Sequence, residues 1–262
     1  MNKFLFVLCP PYSGSTVLWK ILQTSPHISA LPKEGQFLEP VKHIMRDNPY
    51  NIQKKMPWDL IQGAWETYWD IDKSILLEKS PPNLIRALEI EQHFQESYFV
   101  AMIRNPYASC EGIYRRNHKF LEESVKFWIK CAEHQVNNIK NIRNITYFTY
   151  EDLTDSPEKI RKQLLEFMPD LETLDINVAM RVHSILGRQA RKIENLNRHK
   201  INNLTDKDLS TINDILKDHK ELMSFFGYQY IYPSVIRTVT RNIESPFAQL
   251  RAKGIRIRKR ML

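Results

Sequence analysis

Four small polar residues, Ser13, Gly14, Ser15 and Thr16, stand between an apolar run and a helical pattern, a placement that suits the capture of an anion. Phe4, Leu5, Phe6, Val7 and Leu8 form an uninterrupted apolar stretch of the kind that a strand buried on both faces needs, and Pro10-Pro11 stops it. Val17, Leu18, Ile21 and Leu22 then fall at helical spacing, so the helix starts inside the loop. Such a start aims unpaired backbone N–H groups and the positive end of the helix dipole at one point, and Gly14 lets a ligand approach the backbone closely. Phosphate is the expected ligand. The structural alternative is a helix capped by Ser or Thr with no ligand at all. The G-x-x-x-x-G-K-[ST] spacing of nucleotide triphosphatases is missing, which makes γ-phosphate hydrolysis a poor first expectation.

The elements that position this loop are those of an α/β chain. Ile75 to Lys79, Ser97 to Ile103 and Thr146 to Thr149 read as further strands, each followed by a turn and a helical pattern. Ser80-Pro81-Pro82-Asn83 opens one helix, Val125 to Ile139 is a long amphipathic one, and Pro157 to Phe167 is another. Strands that alternate with helices predict a three-layer α/β/α architecture on a central parallel sheet, with ligands outside the carboxyl ends of the strands. Those ends carry Ser13 to Thr16, Lys79, Arg104 and Tyr150. The segment Pro32 to Phe37 is irregular, and its Glu34 can face the same cleft. The aromatic residues Trp58, Trp65, Tyr68 and Trp69 are read as core in preference to an acceptor platform.

The 262 residues, 42% of them hydrophobic, suffice for one full core, and no linker or repeat divides them. One domain over residues 1–233 is expected, followed by a basic, helical tail over residues 234–262. That tail holds eight lysines and arginines against one acid, nearly the whole formal net charge of +8, so the body is close to neutral. A solvated helix is the plainest account of it, and attraction to an anionic acceptor or lipid surface is the next; no firm nucleic-acid partner follows. Cys9, Cys110 and Cys131 fit neither disulfide nor metal-ligand spacing, so reduced core thiols, a cytoplasmic location and no metal are expected. Nowhere do 18 apolar residues run together as a membrane span would require.

Pro11-Tyr12-Ser13-Gly14-Ser15-Thr16 resembles the 5′-phosphosulfate loop of the sulfotransferases that use PAPS (3′-phosphoadenosine 5′-phosphosulfate), P-[KR]-S-G-[ST]-[ST]. It departs at Tyr12, where that family usually has a Lys or Arg. Three later segments match in order: Ile103-Arg104-Asn105-Pro106, similar to the strand that ends in R-[ND]-P; Tyr150-Glu151-Asp152-Leu153, similar to a Y-E-D-L turn; and His183 to Arg191, similar to H-x-x-x-G-N-x-x-R with Arg188 at the Asn position. The resemblance covers most of residues 4–230 and implies a P-loop NTPase-like sulfotransferase fold. PAPS is then the implied sulfuryl donor, and the acceptor a hydroxyl of a sugar, lipid or small metabolite.

The resemblance also implies roles. Tyr12, Ser13, Gly14, Ser15 and Thr16 would hold the 5′ end of the nucleotide, and Arg104 the 3′-phosphate, for which a guanidinium is suited by its paired N–H groups. The family's Ser eight residues after that Arg is replaced by Gly112, and Ser109, one turn earlier on the same face, could compensate. Tyr150 would lie near the adenine, and Arg191 would close over the nucleotide. Glu34, in Glu34-Gly35-Gln36-Phe37, falls where the family has E-x-H-F and would be the base. Lys79, in Glu78-Lys79-Ser80-Pro81, resembles the Lys of E-K-[ST]-P and would neutralise charge on the leaving oxygen. Two other classes remain open at this level. One is a small-metabolite or nucleotide kinase, disfavoured by the missing loop Lys and by the want of an Asp for magnesium. The other is a nucleotide-binding relic, which the Tyr12 and Gly112 departures would suit.

Overall fold

The apolar run after Asn2 forms β1 (Lys3–Leu8) of the computed structural model, which describes residues 2–117, 120–178, 180–181, 190–191 and 193–232. In chain order follow α1 (Ser15–Leu22), β2 (Ile28–Ala30), α2 (Glu39–Met45), α3 (Trp58–Glu66), β3 (Ile75–Glu78), α4 (Ala87–His93) and β4 (Ser97–Ile103). Then come α5 (Pro106–Asn117), α6 (Leu121–Asn141), β5 (Ile145–Thr149), α7 (Tyr150–Asp155), α8 (Pro157–Phe167), β6 (Met180–Arg181), β7 (Ala190–Arg191), α9 (Asn197–Ile201), α10 (Asp206–Leu216) and α11 (Lys220–Phe225). Single turns of 3-10 helix cover Gly35–Phe37, Pro169–Leu171 and Lys217–His219, and a longer one Pro81–Arg86.

The chain divides into two compact units, residues 1–105 with 130–195 and residues 106–129 with 196–262. The first holds a five-stranded sheet in the order β2-β3-β1-β4-β5, every pair parallel. Side chains alternate across a strand, so β1 feeds two layers. Leu5 and Val7 face one side and join Leu18, Ile21 and Leu22 of α1 and Ile160 and Leu164 of α8 in a single buried cluster. Phe4 and Phe6 face the other side, with Phe6 5.1 Å from Phe94 and 6.4 Å from Trp65 of α3, and Phe4 5.9 Å from Trp69. Helices thus cover both faces of the sheet, as expected for α/β/α. Each buried aromatic of this kind contributes about 2–3 kcal/mol of apolar burial. Of the four aromatics between residues 58 and 69, three tryptophans are core and Tyr68 is exposed.

Because β1 is central and the chain passes to β2 and β3 on one side before β4 on the other, the strand order reverses beside β1, and the crevice at such a point is where open α/β sheets bind ligands. The second unit is built from α5, the start of α6 and α9 to α11. Inside it the buried Glu111 accepts hydrogen bonds from Arg115 Nε (2.7 Å), Lys200 Nζ (3.1 Å) and Asn203 Nδ2 (3.0 Å), which ties α5 to α9. No helix among the described residues is long and apolar enough to cross a membrane. The basic segment 234–262 lies outside the described residues.

Candidate active site

The loop after β1 turns by two left-handed residues, Tyr12 (φ 64°) and Gly14 (φ 90°), and α1 begins at Ser15. Gly14 precedes the helix and brings no side chain to cap it; the Val17 N–H donates to the Gly14 carbonyl at 2.9 Å, which leaves the N–H groups of Ser15 and Thr16 to a ligand. Ser13 is fully buried and gives its hydroxyl to the Pro10 carbonyl at 2.5 Å, so it shapes the loop from within. Ser15 is buried and Thr16 exposed. A Cβ at Gly14 would stand 2.5 Å from Cδ2 and 2.6 Å from Cε2 of Tyr150. Gly14→Ala therefore adds left-handed strain to a steric conflict; a loss of about 2–4 kcal/mol in chemical denaturation and a weakened nucleotide site are the expected result.

Tyr150 cannot easily give way. Its hydroxyl donates to the Glu194 carbonyl at 2.9 Å, and the Arg104 guanidinium lies 3.9 Å above its ring centroid. Arg104 ends β4 almost wholly buried and gives Nη1 to the Tyr12 carbonyl at 3.2 Å. A guanidinium held over an aromatic face and fastened to the loop after β1 is preorganised for an anion beside that loop. Tyr150 thus serves as the platform of Arg104, a role its sequence position does not announce.

Glu34 and Lys79, nominated separately, meet: Lys79 Nζ donates to Glu34 Oε1 at 2.6 Å. Lys79 is 6% exposed, lies 5.8 Å over the Trp19 ring of α1, and is close enough to Cys9 at the end of β1 to oppose the effect of burial on that thiol. Burial still pushes Cys9 up to about 12, so it stays a thiol. The second oxygen of Glu34 accepts from Gln36 Nε2 at 2.5 Å, and Gln36 Oε1 accepts from Arg46 Nη1 at 3.3 Å. The site therefore combines backbone N–H, hydroxyl, guanidinium and ammonium donors at the carboxyl ends of β1, β3 and β4, with one carboxylate against the ammonium. That donor set fits a bis-anionic nucleotide and an electrophile next to a base.

Residues 5–173, more than half of the chain, match the model of the sulfotransferase family. The chain belongs to that family. Among solved structures this sulfotransferase is similar to the sulfotransferase domain of the Synechococcus PCC 7002 olefin synthase, at 18% identity and a TM-score of 0.57, over 87% of this chain and 95% of the other. It is similar also to the sulfotransferase domain of the curacin biosynthetic pathway, at 17% identity and a TM-score of 0.51, over 89% and 99%. At these identities the likeness speaks for the fold. No curated protein matches the chain significantly.

Two of the expected nucleotide ligands of the sulfotransferase stand apart from this description. Ser109 is fully buried in α5, within the second unit. Arg191 falls on β7, where its side chain lies outside the described residues, as do His183 and Arg188. Sequence reasoning passed over Tyr50. It is half-buried, its carbonyl is held by Lys130 Nζ at 2.7 Å, and burial above all pushes its hydroxyl well above the usual tyrosine value. Tyr50 therefore keeps its proton. It also passed over Glu78, which is wholly buried behind Lys79 and whose carboxyl burial raises to about 7 against the hydrogen bonds of Ser80 and Gly35. Tyr50 lies in no motif, and Glu78, although it opens the E-K-[ST]-P match, was given no role of its own.

Proposed function

We propose that this sulfotransferase takes its sulfuryl group from PAPS and passes it to a hydroxyl of a sugar, lipid or small metabolite. The observation that carries this reading is the Glu34–Lys79 contact beside the loop that follows β1, a base and a fixed cation at one end of an anion cradle. When bound, the donor supplies an activated sulfuryl group whose leaving oxygen belongs to the 5′-phosphate. The first-turn N–H groups of α1, with the Thr16 hydroxyl, hold that end of the nucleotide, and Arg104, braced by Tyr150 and the Tyr12 carbonyl, holds the 3′-phosphate. Glu34 Oε1 takes the proton of the acceptor hydroxyl as the new S–O bond forms, while the Gln36 amide keeps the carboxylate oriented through Oε2. Lys79 Nζ neutralises the charge that grows on the leaving oxygen. As in phosphoryl transfer, positioning and charge neutralisation do most of the work.

The test is titration calorimetry with adenosine 3′,5′-bisphosphate (PAP) against adenosine 5′-monophosphate. The bisphosphate should bind at least about tenfold tighter, because a charge-assisted pair to the 3′-phosphate is worth about 1.5–3 kcal/mol, and Arg104→Lys should erase much of that difference. Equal weak affinity for the two nucleotides would sink the reading. Mass spectrometry of a metabolite extract incubated with enzyme and PAPS then identifies the acceptor.

A further inference from the structure

Glu34 and Lys79 are each followed in the chain by a residue whose backbone N–H ends on the same buried carboxylate. Glu78 Oε1 accepts from the Gly35 N–H at 2.9 Å, and Glu78 Oε2 accepts from the Ser80 N–H at 3.0 Å. The Ser80 hydroxyl donates to Oε1, and the Asn83 amide to Oε2 at 2.5 Å. The same Ser80 hydroxyl oxygen accepts from the Gln36 N–H at 3.0 Å. Two successive N–H groups of the loop that bears Glu34 are therefore clamped to the end of β3 by Glu78 and Ser80. Gly35 leaves no slack, since a Cβ there would stand 2.9 Å from Glu78 Oε1 and 2.5 Å from Trp65 Nε1.

We propose that Glu78, together with Ser80, is the positioning residue that fixes the separation of Glu34 and Lys79 by fastening the backbone on the C-terminal side of both to one carboxylate. This rests on the reading of Glu34 as the proton acceptor. Glu78 is 1% exposed and both its oxygens are taken up by protein donors, so it acts on Glu34 and Lys79 through their backbone neighbours. A carboxylate is the group for the task because it accepts on both oxygens, where an amide of the same shape turns an NH₂ toward half of the donors. A shift of about 1 Å in a reacting group from such a change costs up to about 10²-fold in rate.

The test compares Glu78→Gln, Glu34→Gln and the double variant in the full chain, with PAPS as the probe and water as acceptor, read as PAP formed. Glu78→Gln should slow PAP formation by about 10- to 100-fold, leave PAP affinity in calorimetry within about twofold, and speed amide hydrogen exchange at Gly35 and Gln36 selectively. In the Glu34→Gln background it should cost clearly less than in the wild-type background, because the part of its effect that runs through Glu34 is already gone and only the part that runs through Lys79 is left. An additive loss in the double variant, or a normal rate with the exchange accelerated, overturns the positioning role and leaves Glu34 as the base. A normal rate in Glu34→Gln itself overturns the reading of the base and this inference with it. Should Glu78→Gln fail to fold, Ser80→Ala removes the hydroxyl that joins Gln36 to Glu78, and the same rate, exchange and double-variant results decide. Asn83→Ala takes one donor from Glu78 and none from the loop; a slowing as large as that of Glu78→Gln would reduce the effect to general destabilisation and overturn the proposal.

Discussion

Glu34→Gln should leave the affinity for PAP as it is and reduce sulfuryl transfer by about 10²- to 10⁴-fold, the usual worth of a positioned proton acceptor. The separation of binding from rate is expected because Glu34 meets Lys79 and Gln36, whereas the nucleotide is assigned to the first turn of α1 and to Arg104. The substituted amide keeps an oxygen for Lys79, and its NH₂ meets the Gln36 amide, which turns over at the expense of its bond to Arg46. The local fold therefore persists while the basic oxygen is gone. Calorimetry with PAP and the rate of PAP formation from PAPS check the two halves independently. A full rate, or a rate loss matched by an equal loss of PAP affinity, would show that Glu34 is not the base.

The sheet was legible because buried parallel strands announce themselves. Phe4 to Leu8 and Ser97 to Ile103 can satisfy two apolar faces at once only in the middle of a covered sheet, and they are β1 and β4. The edge strand β2 was not, since three residues, Ile28–Ala30, leave too short a run to show a period. Pro81-Pro82 correctly stops β3 and starts a helix, but two prolines and the Ser80–Asn83 turn tighten it into 3-10 geometry as far as Arg86, and α-helix begins only at Ala87. The loop after β1 could be read from residue types alone, because the left-handed turn at Gly14 and the helix start at Ser15 follow from small polar residues.

The pairwise contacts of the site were beyond sequence reasoning. Glu78-Lys79 reads as a strand ending in charge with Lys79 toward the site, yet Glu78 is 1% exposed and its partners Gly35 and Ser80 are separated from each other by the whole of α2 and α3. A buried carboxylate is tolerated only where donors surround it, and no local pattern encodes donors that arrive from a distant loop. Tyr150 was nominated for the nucleotide on its motif; what the motif did not show is that its ring carries Arg104. In each case the residue type was visible and the partner was not.

Lys79→Ala should be nearly as damaging as loss of the base, with turnover down by about 10²- to 10³-fold, the cost of removing one preorganised electrostatic partner from a developing oxyanion. Lys79 stands beside Glu34, Trp19 and Cys9, and in the proposed reaction it meets the charge that a loop cation at position 12 would otherwise meet. Tyr12→Lys should accordingly keep the rate or raise it. The left-handed backbone at position 12 costs a lysine about the same 1–2 kcal/mol that it costs tyrosine, and the bond from Arg104 goes to the Tyr12 carbonyl, which the substitution retains. Assays of PAP formation on the two single variants and on their combination decide the matter, with partial recovery expected when the new lysine is added to Lys79→Ala. If Lys79→Ala is harmless and Tyr12→Lys inactive, the phenol of Tyr12 has a task of its own, and the leaving oxygen lies elsewhere than against Lys79.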